Sequence, residues 1–150
     1  MSDKKEVLLK LRNVKVYFPV RSGFFGKIVD HVKAVNDVDL DIYRGETLGL
    51  VGESGCGKTT LGKSVIKLVS ATDGTIEYDF GSVSGGVKEL RTMPHEDDLL
   101  LHKKIQIVFQ DPYSSLNPAF TIYQSLVDPL RHFGVKNKAE QRKMISDILE

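Results

Sequence analysis

Gly52-Glu53-Ser54-Gly55-Cys56-Gly57-Lys58-Thr59 fits the spacing GxxxxGK[ST], and these residue types together dictate a chemistry: they hold phosphate. Gly52, Gly55 and Gly57 allow the backbone close to crowded anionic oxygens, with successive N–H groups turned inward as a nest. Lys58 supplies a point charge for the β- and γ-phosphates of a nucleotide, and the Thr59 hydroxyl suits the coordination shell of Mg²⁺. A helix opening at Thr60 aims a positive dipole end at the same place. A glycine-rich turn without function has the same composition, so the reading depends on flanking elements.

Those elements are legible. Thr47-Leu48-Gly49-Leu50-Val51 is a short apolar run that predicts a buried strand, and Leu61, Val65, Leu68 and Val69 recur at helical spacing over Thr60–Val69. Upstream, Val7, Leu9 and Leu11, then Val14 and Val16, alternate with polar residues, with Asn13 between the two phases. Val38, Leu40 and Ile42 repeat the pattern, so both stretches predict half-buried antiparallel strands. Pro19–Asp30, with the Phe24-Phe25 pair as loop packing, predicts a long hairpin excursion between them. Arg44-Gly45 turns the chain toward the phosphate loop, and Thr72-Asp73-Gly74 leads into a strand over Thr75–Phe80.

Gly81–Gly86 reads as a flexible connector, followed by a polar, acidic stretch and the apolar strand Ile105–Phe109. From Thr121 the spacing predicts helices, with Ile122, Leu126 and Leu130 as one stripe and Met144, Ile145, Ile148 and Leu149 as another. No stop signal follows Leu149, which predicts a helix continuing past Glu150. Strands on both sides of a phosphate-loop helix mean a layered α/β core.

Bulk properties add only exclusions. With 21 Lys and Arg against 20 Asp and Glu in 150 residues, no global charge points to nucleic acid. No apolar run approaches the length of a spanning helix, so the chain is expected to be cytosolic and non-spanning. The single cysteine, Cys56, cannot form an internal disulfide and reads as a small loop residue.

The phosphate loop, taken with Phe109-Gln110-Asp111-Pro112-Tyr113-Ser114-Ser115-Leu116-Asn117-Pro118, resembles the ATP-binding subunits of ABC transporters of the oligopeptide and dipeptide importer group. The resemblance runs along most of the chain. It implies a P-loop NTPase core with an N-terminal antiparallel β subdomain over about residues 1–118, and the start of a helical subdomain over 119–150. Gly52–Thr60 would bind ATP. Gln110 would be the glutamine that touches Mg²⁺ and the attacking water, a role suited to an amide that accepts from one side and donates from the other. Thr59 and Gln110 would therefore be the metal contacts. Leu11-Arg12-Asn13-Val14 aligns with the opening strand of the family, whose end carries an aromatic residue stacked on adenine; Phe18 falls there, with Tyr17 as the alternative. The small residues of Ala34-Val35-Asn36-Asp37-Val38 would border the nucleotide.

The resemblance also implies transmembrane permease subunits, a second ATPase subunit and, indirectly, a peptide-binding protein as partners, with a peripheral place on the cytoplasmic face of the membrane. An LSGGQ-type signature, an apolar strand ending in Asp-Glu and a switch histidine belong after Glu150 in that pattern, so residues 1–150 are expected to be the N-terminal part of one domain and to bind without turnover. Val83-Ser84-Gly85-Gly86 precedes Gln110 and does not fit the signature. His31, His95, His102 and His132 all precede the switch position and read as surface residues. A GTPase is the rival reading, but Asn137-Lys138-Ala139-Glu140 has Glu where NKxD needs Asp.

Overall fold

Alternating apolar residues make β1 (Val7–Ser22) the spine of an antiparallel sheet: Leu9, Leu11, Val14 and Val16 are all buried. Leu11 and Val14 are an odd number of residues apart and still share a face. The reason is a bulge: Asn13 takes φ 49°, and pairing slips between Leu11 and Val14 against β2 (Lys27–Tyr43) and between Arg12 and Lys15 against β3 (Asp73–Asp79). One extra residue restores the inward phase, and the Asn13 N–H is satisfied by the Asp39 carboxylate at 2.6 Å.

The computed structural model describes residues 5–23, 26–109 and 116–150, in two compact units, 1–104 and 105–150. Strand order in the first unit is β2-β1-β3-β4, with β4 spanning Val87–Glu89. Ion pairs such as Arg12–Asp41 (2.7 Å) and Lys10–Glu77 (3.7 Å) link neighbouring strands. Leu11, Val14, Val16, Ile76 and Tyr78 form the buried set, joined by Leu61 of α1 (Lys58–Val65).

The hairpin is more regular than expected. Instead of an irregular excursion over Pro19–Asp30, β1 and β2 pair as far as Ser22 with Lys27, with Phe18 opposite Val32 and Val20 opposite Asp30. β-branched Val20, Ile28, Val29 and Val32 favour that extended backbone. The Phe24-Phe25 pair lies outside the described residues.

Helix α1 stops at Val65, four residues short of the expected end. Lys67 adopts φ 60°, its N–H donates to Ser64 O (3.2 Å) and the Leu68 N–H donates to Lys63 O (2.9 Å). Those two bonds are a Schellman closure with lysine where glycine is usual.

Two expected strands do not form ladders. Thr47–Val51 has no β partner among the described residues, and Leu48, Leu50 and Val51 are exposed, Val51 by 95%. In the second unit, Ile105–Phe109 is likewise without a described partner, with Val108 96% exposed. An apolar run marks a segment that needs covering on both faces, but it becomes a strand only when a neighbour supplies the ladder.

Residues 81–104 are more ordered than their composition suggests. A turn over Ser82–Ser84 joins β3 to β4, and α2 (Asp98–Lys104) follows a further turn at His95–Asp97, with Leu90, Met93 and Leu101 buried. Val83–Gly86 is part of this strand connection, closed by the Phe80 N–H on Gly86 O at 3.0 Å.

The second unit is a helical pair. Helix α3 (Ile122–His132) opens with a capping box: Thr121 Oγ1 accepts from the Gln124 N–H (3.2 Å) and Gln124 Oε1 from the Thr121 N–H (2.8 Å). Helix α4 (Lys138–Leu149) is capped by Asn137, whose Oδ1 accepts from the Ala139 N–H at 2.8 Å. Asn137 is thus occupied as a cap, which accounts for the partial NKxD match. Val127, Gln141 and Ile145 are buried, while Ile122, Met144, Ile148 and Leu149 of the expected stripes are exposed.

Candidate functional site

The phosphate loop lies against the open edge of the sheet. β2 has a neighbour on one side only. Its Ala34 carbonyl approaches Gly57 so closely that a β-carbon there would stand 2.0 Å from the oxygen. Gly57 takes φ 97° and forms the N-cap of α1, while Gly55 takes φ 81°. An exposed edge strand is thereby covered by the loop that must be held still.

Lys58 folds back over its own loop. Its ammonium donates to Gly52 O (2.7 Å) and Glu53 O (2.6 Å) and lies 3.3 Å from Cys56 Sγ. These contacts keep the cation at the loop. The first turn of α1 carries no acidic residue, and its N-cap has no side chain to accept from the leading N–H groups. Those donors point at the loop with the positive end of the helix behind them, an arrangement matched to an anion. Thr59 and Thr60 fall in that first turn, and Thr59 is exposed without a side-chain hydrogen bond among the described residues.

A cavity of about 390 Å³ opens beside the loop, walled by Lys33, Ala34, Val35, Asn36 and Val38 of β2, Leu50 and Val51 of the preceding segment, and Cys56, Gly57, Lys58 and Leu61. The structure therefore brings Cys56, Gly57 and Lys58 together with the Ala34–Val38 stretch. Phe18 and Tyr17 do not line this cavity. They stand on β1 opposite Val32 and Lys33 of β2, respectively. The Tyr17 hydroxyl donates to Asn36 Oδ1, and the Lys33 ammonium lies 5.7 Å from its ring centre. Phe18 is 42% exposed. Gln110 lies outside the described residues.

One participant is not visible in sequence alone: Lys33 reaches the site through hairpin register, which no local pattern encodes, while Ala34 lies in the stretch expected to border the nucleotide. Among the histidines, His95 pairs with Asp98 through Nδ1 at 2.7 Å, and His31 sits on β2 opposite Pro19. His102 and His132 lie in the last turns of α2 and α3. The described residues hold no cluster of three or more His, Cys, Asp or Glu suited to a metal, and no helix is long and apolar enough to cross a membrane.

Comparison with known proteins places the chain in a family. The chain is 43% identical over 143 residues to the oligopeptide transport ATP-binding protein OppF of Lactococcus lactis subsp. lactis (strain IL1403), covering 95% of this chain and 43% of that protein. It is 40% identical over 146 residues to the oligopeptide transport ATP-binding protein AppF of Bacillus subtilis (strain 168), covering 97% and 42%. The chain thus spans less than half the length of these relatives. Among solved structures, the ATP-binding cassette MJ0796, a dimeric post-hydrolysis state bound to ADP and Pi, superposes with a TM-score of 0.71 at 24% identity over 93% of this chain and 55% of that one, a likeness of fold. Residues 35–150 match the model of the ABC transporter family, and the chain belongs to that family.

Proposed function

We propose that this chain forms the nucleotide-holding part of an ATP-binding subunit that energises peptide import. The observation that carries the reading is the phosphate loop itself: glycines in left-handed backbone, a lysine drawn into the loop and an uncapped helix start, with Gly57 and Lys58 in the wall of one cavity. The relatives named as oligopeptide transport ATP-binding proteins supply the solute class.

In this reading Gly52–Gly57 and the N–H groups of Lys58, Thr59 and Thr60 cradle the phosphates, and Lys58 balances their charge. The donor set fits a magnesium nucleotide. Mg²⁺ keeps several waters and rests on phosphate oxygens, so the Thr59 hydroxyl and the Gln110 amide suffice without an all-protein cage. Phe18 supplies the adenine platform, because the Tyr17 hydroxyl and ring are already engaged by Asn36 and Lys33. Permease subunits, a second ATPase subunit and a peptide-binding protein complete the transporter, with this subunit peripheral on the cytoplasmic face.

Residues 1–150 contain no apolar run ending in Asp-Glu. Removing a general base costs about 10²–10⁴-fold in rate, so these residues hold MgATP without appreciable turnover. Titration with a fluorescent ATP analogue, paired with a phosphate-release assay, tests both halves. Magnesium-dependent binding lost in Lys58→Ala supports the reading. Binding that is absent, or indifferent to Lys58, overturns it, and a strong preference for GTP in competition points to a different P-loop class.

A further inference from the structure

Lys33, like Arg21 and Lys27, is a sheet cation with no ion pair among the described residues, and of these three it is the one in the cavity wall beside the loop. Lys10, Lys15 and Lys88 each meet a carboxylate of the first unit within ion-pair distance, at 3.7, 3.2 and 2.8 Å, whereas no ion pair among the described residues involves Lys33. Its ammonium is instead parked 5.7 Å from the Tyr17 ring centre, an arrangement that steadies a cation without neutralising it. Lys33 also belongs to the wall of the same cavity as Lys58. A cavity with a lysine at its phosphate-loop end and, on the β2 edge, a second lysine without an ion pair among the described residues suits a ligand carrying negative charge along its length.

We infer that Lys33 is a second anion-binding residue of the nucleotide site, meeting the phosphate nearest the ribose; this rests on the nucleotide-binding reading above. The placement follows from the hairpin register. Tyr17 pairs with Lys33 on one rung of β1 and β2, and Phe18 pairs with Val32 on the rung beside it. A nucleotide with its terminal phosphates at Lys58 and its base toward these rungs carries its ribose and first phosphate past Lys33. Tyr17 acts as the platform: its hydroxyl holds Asn36 while its ring face holds the ammonium.

The contact is exposed and therefore modest. Replacing Lys33 by Gln is expected to weaken MgATP and MgADP equally, by about three- to fivefold, the scale of a solvent-exposed charge contact. Equality is the diagnostic result, since a general loss of positive field would penalise the more highly charged MgATP more. The experiment measures the affinity of the chain for MgATP and MgADP by calorimetry in wild type, Lys33→Gln, Lys33→Arg, Lys58→Ala and Lys27→Gln, at low and high salt. The inference is supported if Lys33→Gln shows the equal loss, if the loss shrinks at high salt, and if Lys33→Arg restores affinity while Lys27→Gln, on the same strand outside the cavity wall, leaves it unchanged. Lys58-dependent binding that ignores Lys33→Gln, or a loss matched by Lys27→Gln, overturns this inference and leaves the nucleotide site standing. Wild-type protein that binds neither nucleotide overturns both.

Discussion

A β-carbon added to Gly57 would lie 2.0 Å from the carbonyl oxygen of Ala34, so the phosphate loop and the edge of β2 are in contact through backbone alone. Neither side can yield as a side chain would. Gly57→Ala therefore combines left-handed strain, about 1–2 kcal/mol for a non-glycine residue, with a collision that forces loop and strand apart. Gly55 has the same left-handed backbone, at φ 81°, but open space around it, so Gly55→Ala is expected to carry the strain alone. Gly62, inside α1 with nothing within 4 Å of an added carbon, is expected to gain up to about 1 kcal/mol as Ala. Urea unfolding of the three variants should rank Gly62→Ala above wild type, then Gly55→Ala, then Gly57→Ala, which should also lose nucleotide binding.

Lys58 tests the site without disturbing the fold. Its ammonium holds Gly52 O and Glu53 O at 2.7 and 2.6 Å, but the loop is exposed, so water replaces those bonds in Lys58→Ala. Stability should move by no more than about 0.5 kcal/mol. Affinity for MgATP should fall by about tenfold to a hundredfold, the worth of a charge-assisted hydrogen bond to phosphate. Paired melting and titration curves separate the two effects.

The loop Gly52–Thr59 was legible as a motif because phosphate binding, the role proposed for it, demands particular residue types at fixed offsets. The half-buried strands were legible too, and even the bulge at Asn13 left a trace as a break in alternation. What escaped depends on partners distant in sequence. Thr47–Val51 has the composition of a buried strand, but composition does not provide the ladder, and none is present among the described residues. The order in residues 81–104 rests on single buried residues, Leu90, Met93 and Leu101, in elements too short to show a period. Lys33 reached the site only through the pairing of β1 with β2.

Asp98 should make part of the stability sensitive to acid. Its carboxyl is held below the usual range first by the Lys67 hydrogen bond and then by that of His95, against opposing desolvation. A depressed folded value means the contribution is complete above the ordinary aspartate pKa of about 4, and is lost as the pH falls through the lower folded value. Asp41, lowered by Arg12, and Asp73, lowered by the Gly74 N–H and by Lys15, act in the same direction. Asp98→Asn should therefore flatten the fall in unfolding free energy below pH 4 without abolishing it. An unchanged slope in urea titrations across pH 2.5–6 would remove Asp98 from the account.

Lys67 ends the phosphate-loop helix at a cost that its side chain offsets. In left-handed backbone at φ 60° a lysine sacrifices about 1–2 kcal/mol that glycine would not. Its ammonium donates to Met93 O at 3.0 Å and to Asp98 at 2.6 Å, tying the end of α1 to the start of α2. With side chains of Lys67 and Asp98 only 18% and 22% exposed, that ion pair is better shielded than a surface pair. Lys67→Ala keeps the strain and loses the tie, while Lys67→Gly loses the tie and relieves the strain. Lys67→Gly should therefore be the more stable of the two by about 1 kcal/mol, with wild type above or level with it. If the alanine variant proves equal to the glycine variant in urea unfolding, the left-handed closure of α1 is not the feature that Lys67 serves.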